Sequence, residues 1–371
     1  MAVKTPRFRH QPRRASVIGA GSFGTAVAIL LVRAGMRTTL LCRTEEQARE
    51  MDEDRENKRY LEGVALPDRL KVRVLGAVDE QFERSDLIFV AVPSSGLSAA
   101  LDELVRQGVS PRAGIVSLAK GLVPPDGVPP TVALEAHFGP ERVACVGGPA
   151  HAREMVESGA GLVCASHAPA LAERVAETFR AARVMCEASS DPVGVELAGS
   201  AKNAAALAAG ATEGQGLNAA GMAAADIFTE VLALARGRGA RASTFVGRSG
   251  VGDLVATALA PTSRNRSAGE LLASGVPAAE IPGRLGQAVE SLETVPLLAR
   301  AIEAAGIQAP IVSALARLID GSLPLEEWVA LVRVSQPEPE PRVGRFTAWW
   351  RRMRARYRRP AAQAQLARGG R

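Results

Sequence analysis

Three glycines constrain this chain more than any other feature. Gly19-Ala20-Gly21-Ser22-Phe23-Gly24 has the GxGxxG spacing and stands between an apolar run, Ala15-Ser16-Val17-Ile18, and a helical pattern from Ser22 to Arg33. A strand, a glycine-rich turn and a helix in that order make a dinucleotide-binding unit. Gly19 permits the tight turn, Gly21 lets the backbone approach a pyrophosphate, and Gly24 lets helix and strand pack closely. The helix start then offers free N–H groups and a positive dipole end to the phosphates. The competing reading is a glycine turn that binds nothing, and the strand before it and helix after it weigh against that. Residues 15–32 also form an uncharged stretch behind Arg13-Arg14, which on hydropathy alone reads as a membrane helix or signal peptide. Glycines at nucleotide-turn spacing inside it favour the turn.

Short continuous apolar runs alternate with helical patterns through the first half. Residues 37–42, 86–92, 114–118 and 142–146 read as strands, with 161–165 and 183–186 as weaker ones. Continuous rather than alternating apolar strands indicate a parallel sheet covered on both faces. After about residue 190 the chain becomes rich in Ala, Leu and Gly at helical spacing, with helices over 197–211, 222–236, 268–274, 294–305, 311–319 and 325–334. The expected fold class is therefore α/β: an N-terminal Rossmann-like doubly wound sheet over 15–189 and a C-terminal all-helical domain over 190–335. A basic extension covers 1–14. A proline-rich linker, Gln336-Pro337-Glu338-Pro339-Glu340-Pro341, leads into a basic tail that ends at 371.

The formal charge of +6 belongs to the ends. Residues 1–14 hold five basic groups and 342–371 hold ten, with no acid in either, while residues 15–341 carry 30 basic and 39 acidic groups, a net −9. The pI of about 9.5 thus describes the tails rather than the core. Only 4% of residues are aromatic, which argues against single-strand nucleic-acid stacking, so no specific nucleic-acid partner is expected. Cys42, Cys145, Cys164 and Cys186 form no CxxC pair, the four histidines form no HExxH, and no metal site is indicated. Isolated thiols suit a reducing cytoplasm.

Several polar residues stand where chemistry is possible. Lys120 follows the apolar run ending Ser117-Leu118, at the carboxyl end of a strand, where open α/β sheets build their sites; a solvated loop lysine is the plainer alternative. Lys202 lies in a segment apolar nearly all round, so it is expensive to bury unless paired, and a buried lysine has a tunable pKa suited to general acid–base work. Its alternative is a snorkelling lysine at a helix edge. Asp253, in the glycine-rich Gly247–Gly252 context, can charge-balance such a lysine or simply cap a helix. Arg264 and Asn265 stand near a helix start where Ser267 and Glu270 have capping-box spacing; they can bind a phosphate or lie solvated. Arg43 occupies the place, about twenty residues past the glycines, where an acid would hold the ribose hydroxyls of NAD. An arginine there can take a 2′-phosphate, which leans the reading toward NADP, or it can be a solvated surface residue.

Taken in order, GAGSFGTA (19–26), SLAKGL (117–122), GGPAHARE (147–154), ELAGSAKNAAALAAGATEGQG (196–216), GRSGVGDLVAT (247–257) and SRNRSAGE (263–270) resemble the bacterial NAD(P)-dependent glycerol-3-phosphate dehydrogenases, over about residues 14–320. The resemblance implies a Rossmann domain and a helical domain with the site between them. It implies reversible hydride transfer between NAD(P)H and dihydroxyacetone phosphate, giving sn-glycerol 3-phosphate for phospholipid synthesis. Carried over by motif, Lys202 would give and take the proton at the C2 oxygen. Lys120 would polarise the carbonyl and touch cofactor and substrate, and Asp253 would hold the lysines. Gly148, Ser263, Arg264 and Asn265 would line or grip the substrate, with Arg264 also reaching the cofactor. Gly19, Gly21, Ser22, Phe23, Gly24, Arg43, Ala152 and Glu290 would contact the cofactor. A homodimer is compatible with this reading.

Two stretches depart from the family pattern. Ala150-His151 stands where a Ser or Thr and then Phe are usual, and Met222 and Phe228 replace basic positions within 218–228. These departures keep open a related reductase of another small phosphorylated or carboxylated ketone. A non-catalytic dinucleotide-binding protein is a third reading, opposed by the retained Lys120, Lys202, Asp253 and Ser263-Arg264-Asn265. In the tail, Trp349 and Trp350 amid arginines suit peripheral contact with an anionic membrane, and a disordered solubilising tail is the alternative.

Overall fold

The computed structural model of the chain describes residues 13–76, 81–260 and 263–334. The readings made for residues 1–12, for the proline-rich linker and for the basic tail lie outside the described residues.

Eight described strands form one sheet: Arg14–Ile18 (β1), Arg37–Cys42 (β2), Lys71–Val74 (β3), Leu87–Val90 (β4), Gly114–Ser117 (β5), Val143–Gly147 (β6), Gly161–Ala165 (β7) and Met185–Ser189 (β8). Their order is β3-β2-β1-β4-β5-β6-β7-β8. The first six strands in this order run parallel, in register at pairs such as Val17↔Leu40 and Val17↔Phe89. β7 is antiparallel to β6 and parallel to β8. Strand order reverses between β1 and β4, which opens a crevice at their carboxyl ends, the usual place for a ligand in such sheets. β4 shows why the apolar runs are continuous. Leu87 and Phe89 join the core on one face of the sheet, and Ile88 and Val90 join the core on the other. Phe89 meets Phe179 edge to face at 6.0 Å.

The uncharged stretch 15–32 is β1 plus the Ser22–Arg33 helix, and its side chains from Gly24 to Leu31 are buried in the core. β3, absent from the sequence reading, is an edge strand in which Lys71 and Arg73 alternate with Val72 and Val74, so one face stays polar. The strand expected over 183–186 is instead Met185–Ser189, because Arg183 adopts a positive φ of 65° and Val184 still belongs to the turn.

Behind the sheet, the 21-residue helix Pro192–Thr212 is buried except at Val193 and Ala209. Asp191 starts it, accepting from the Gly194 N–H at 2.9 Å. The Leu217–Gly237 helix packs against it through Ala223, Ile227, Val231, Leu234 and Ala235. Among the described residues this is the one helix long and apolar enough, by length and composition, to cross a membrane. On another side crosses the Arg264–Ala273 helix, at Gly210 and Gly269. A Cβ on Gly210 would stand 2.1 Å from the Arg266 carbonyl oxygen, and one on Gly269 would stand 2.1 Å from that of Leu207. The two backbones therefore touch, and this contact decides which residues of the two helices face each other. Gly269→Ala is expected to lower stability by about 1–3 kcal/mol, the range for an overpacked contact. Gly221→Ala, on the exposed side of the Leu217–Gly237 helix with nothing near its missing Cβ, should be neutral or stabilising. Thermal unfolding of both variants checks the crossing; equal midpoints would show that the helices do not meet this closely.

The helix expected over 268–274 begins a turn earlier. Ser263 is its cap, its hydroxyl accepting from the Arg266 N–H at 3.4 Å. Ser267 therefore lies inside the helix. Glu270, expected to complete a capping box with it, pairs with Arg266 at 2.9 Å instead, because an i,i+4 arginine is within reach and the serine's amide is already committed to the helix ladder.

Candidate active site

Three elements bring Lys120, Lys202 and Asp253 together. Lys120 follows β5 at the carboxyl edge of the sheet. Lys202 lies midway along Pro192–Thr212. Asp253 opens the Asp253–Leu259 helix, directly after a π-helical turn over Arg248–Gly252. Lys120 Nζ lies 2.7 Å from Asp253 Oδ2 and donates also to the Gly148 carbonyl at 3.3 Å. Lys202 Nζ lies 3.8 Å from Asp253 Oδ1. One carboxylate thus stands between two ammonium groups, in a site where Asp253 is 4% and Lys202 7% exposed. Asp253 is no helix cap: Gly252 holds that position and no side chain caps the helix. Lys202 is no snorkelling surface lysine, since its charge is buried with its stem.

Electrostatics follows from this packing. Burial lowers the Lys202 pKa to about 8; Lys120 pushes the same way, and Asp253 and Glu290 oppose them. Burial on its own would raise the Asp253 carboxyl, but Lys120, Lys202 and a hydrogen bond from Lys120 outweigh it and hold the group below its ordinary value. The result is a cationic pocket with one lysine poised to release a proton near neutral pH.

A second chain of contacts begins at Asn203, the neighbour of Lys202. Asn203 Nδ2 donates to Glu290 Oε2 at 3.1 Å, and Asn265 Nδ2 donates to Asn203 Oδ1 at 2.9 Å. Asn265 Oδ1 accepts from the Ser291 N–H at 3.4 Å. The Gly210–Gly269 crossing makes the two asparagines meet. Glu290, at the start of the Glu290–Ala304 helix, has its carboxyl raised by burial against the pull of Lys202, Arg264 and Lys120. Arg264 is exposed, with Nη1 3.5 Å from the Ala288 carbonyl. Sequence reasoning had assigned no role to Asn203. The signal was present: it is the polar neighbour of Lys202 on an alanine-rich helix, subject to the same burial argument.

The glycine turn forms the other half. A Cβ on Gly19, whose φ is +105°, would stand 2.6 Å from the Ala91 carbonyl oxygen, and one on Gly24 would stand 2.0 Å from that of Gly19. Nothing lies within 4 Å of where a Cβ on Gly21 would stand. Two glycines are thus required by the chain's own packing, while the third leaves open space in front of a helix that no side chain caps. That cradle fits a pyrophosphate. Ser22 and Phe23 are half-buried at the helix start. Arg43 is exposed past the end of β2 and lines one cavity with Asn57, Arg59 and Tyr60. Asn57 braces the turn from behind, donating to the Ala20 carbonyl at 3.0 Å. Ala152 is half-buried at the start of the Ala152–Glu157 helix. The four cysteines are free and buried, with burial pushing the Cys42 and Cys186 thiols to about 12, which leaves them unreactive.

Comparison with known proteins places the chain in a family. Residues 14–172 match the model for the N-terminus of NAD-dependent glycerol-3-phosphate dehydrogenase, and residues 191–330 match the model for its C-terminus. The glycerol-3-phosphate dehydrogenase [NAD(P)+] of Chlorobium luteolum is 35% identical over 334 residues, covering 88% of this chain and 98% of that protein. The chain belongs to the NAD-dependent glycerol-3-phosphate dehydrogenase family. A second relative of the same name, from Deinococcus radiodurans, is 39% identical over 320 residues, covering 84% of this chain and 90% of its own length. The crystal structure of glycerol-3-phosphate dehydrogenase from Coxiella burnetii superposes with a TM-score of 0.80 at 27% identity, across 87% of this chain and 99% of that one. The mixed sheet followed by a helical region is therefore the fold of this family.

Proposed function

We propose that the chain is an NAD(P)-dependent sn-glycerol-3-phosphate dehydrogenase that interconverts dihydroxyacetone phosphate and sn-glycerol 3-phosphate, the precursor of phospholipids. The observation that carries the reading is the buried carboxylate between two lysines at the carboxyl edge of a nucleotide-binding sheet. When bound, the nicotinamide supplies or accepts the hydride at C2. Lys202 gives the C2 oxygen its proton in reduction and takes it back in oxidation. Lys120, held between Gly148 and Asp253, polarises the carbonyl, and both ammonium groups stabilise the negative charge that develops on its oxygen. Asp253 keeps the two like charges in one pocket. Arg264 and Asn265 seat the phosphate, and the Ser263 hydroxyl, which accepts within its own helix, remains free to donate to it. Anchoring the phosphate away from C2 fixes the ketone between hydride and proton, an orienting effect that can reach several kcal/mol.

Gly19, Gly21, Ser22, Phe23 and Gly24 hold the pyrophosphate, with Arg43 at the adenosine ribose and Ala152, Arg264 and Glu290 toward the nicotinamide end. Arg43 leans the cofactor choice toward NADP(H). The two family models support a boundary between a nucleotide domain ending near 189 and a helical domain beginning near 190. A cytoplasmic location, a homodimer and contact of the basic tail with anionic lipid belong to the same reading. Co-sedimentation with anionic liposomes of the full chain, against one ending at Val334, tests the lipid contact, and equal binding removes it.

The deciding experiment follows NADH and NADPH oxidation in parallel with dihydroxyacetone phosphate as substrate. Turnover with either establishes the reaction. Arg43→Ala is expected to raise the KM for NADPH about tenfold, the loss of one charge-assisted contact, and to leave that for NADH within twofold; equal effects on both would remove Arg43 from the 2′-phosphate. Ala150 and the Met222 and Phe228 positions favour a second reading, a reductase of another small phosphorylated or carboxylated ketone. A substrate panel in which dihydroxyacetone phosphate is not preferred would install it.

A further inference from the structure

His151 sits just before the Ala152–Glu157 helix and is half-buried, yet its ring does not cap that helix. Nε2 instead lies 3.4 Å from the carbonyl oxygen of Ala256. Ala256 belongs to the last turn of the Asp253–Leu259 helix, and its oxygen also accepts from the Ala260 N–H at 3.2 Å. Carbonyls in a last helical turn are short of donors and form the negative end of the dipole, so an imidazole N–H is well placed there.

What makes this contact more than local is where its two ends lie. His151 is three residues past Gly148, and Ala256 is three residues past Asp253. Gly148 O and Asp253 Oδ2 are the two acceptors of Lys120 Nζ. The contacts therefore close a ring. It runs from Lys120 to Gly148, along the loop to His151, across to Ala256, back one helical turn to Asp253, and so to Lys120. The two acceptors belong to different elements, a loop after β6 and a helix of the second half of the chain. The direction of the Lys120 ammonium depends on their spacing. His151 also lies near enough to Asp253 to add, after the two lysines, to the field that holds that carboxylate in its charged form.

We infer that His151 is a positioning residue for Lys120. By donating Nε2–H to Ala256 it holds the Gly148 loop against the Asp253 helix, and this fixes the ammonium that polarises the substrate carbonyl. His151 itself touches neither substrate nor cofactor in this role. The inference rests on the dehydrogenase reading above.

Three variants test it in steady-state assays with dihydroxyacetone phosphate and the preferred nucleotide. His151→Leu fills about the same space and removes the donor. His151→Gln keeps an Nε2–H donor without the ring. His151→Ala removes both. His151→Leu and His151→Ala are expected to lower kcat about tenfold, since misplacement of a catalytic group by a fraction of an ångström has effects of that order. The KM for the nucleotide should stay within twofold, because the Gly19–Gly24 turn is untouched. His151→Gln should recover kcat to within about threefold of wild type. A merely structural role would move thermal midpoint, kcat and KM together and would show no rescue by glutamine. Wild-type kcat in His151→Leu, a loss confined to the nucleotide KM, or a His151→Gln no better than His151→Ala would each overturn the inference while leaving the dehydrogenase reading in place. A wild-type chain that does not reduce dihydroxyacetone phosphate would overturn both.

Discussion

Lys202→Ala is expected to lower kcat for reduction of dihydroxyacetone phosphate about 10³-fold, within the span of a positioned general acid, and to leave nucleotide binding intact. The argument is one of proton supply. Burial brings the Lys202 pKa down to about 8, so at pH 7 the group is mostly protonated yet releases its proton far more readily than an exposed lysine. Ketone reduction needs the protonated form, so its rate should fall as pH rises through about 8. Alcohol oxidation needs the neutral form, so its rate should fall as pH drops through the same value. Lys202→Arg preserves the charge but cannot yield a proton; it should lose activity in both directions and abolish these limbs. Limbs that persist in Lys202→Arg would place the proton on another group. The same shift has a consequence for stability. A lysine whose folded pKa is depressed binds its proton less well folded than unfolded, so stability rises with pH between about 8 and the unperturbed 10.5 and is penalised in full below about 8. Lys202→Met, with Lys120 left to balance Asp253, should therefore be more stable than wild type at pH 7, by about 1–2 kcal/mol. It would be a chain that folds better and no longer works.

Much of this could be read before any coordinates. The strands that were legible are those with both faces buried, because continuous apolar runs such as Leu87–Val90 leave a pattern that needs no partner to interpret. β3 was not, because an edge strand of four residues that alternates Lys, Val, Arg, Val resembles a loop until its neighbour β2 is known. The reversed direction of β7 left no mark either: strand polarity comes from the connection, here a short helix after Gly148 rather than a full crossover. In the site, Lys202 announced itself as a charge in an apolar helix. Asp253 stood open between two roles, since a carboxylate in a glycine-rich turn can balance a lysine or cap a helix, and only the distances to two lysines decide between them. Glu290 entered by resemblance alone. No local pattern could predict that it meets Asn203, because the two stand on separate helices 87 residues apart in the chain. Ser263 and Ser267 show the same limit at short range. Both are serines followed three residues later by a side chain able to complete a cap or pair, and the choice between them is made by where the helix begins.

Asp253→Asn should lose both activity and stability, and the two losses should depend on pH in different ways. The carboxylate is the counter-charge that lets two ammonium groups share one buried pocket. Replaced by a neutral amide of the same shape, it leaves Lys120 and Lys202 facing each other with only Glu290 to offset them. Lys202 then releases its proton more readily still, since Asp253 is one of the groups holding its pKa up. The alkaline limb of ketone reduction should therefore move below about pH 8, and kcat at pH 7 should fall about 10²-fold, from lost proton supply and from a Lys120 without its 2.7 Å partner. Breaking a buried pair typically costs about 3–5 kcal/mol. The lower end, about 3 kcal/mol, is expected here, because Lys120 keeps 18% of its side chain in contact with solvent and Lys202 can shed its proton. The sign with pH follows from the wild-type carboxyl, held below its ordinary value of 3.8. Its contribution to stability is present above about pH 4 and is lost as pH falls through the folded value. The gap between wild type and Asp253→Asn should thus close in acid, and should narrow again above about pH 8, where Lys202 is neutral in both. Chemical denaturation at pH 7 and pH 9.5, alongside the pH–rate profile, separates this account from a simple packing role. A stability gap unchanged by pH would mean that Asp253 holds its helix in place and does not balance the lysines.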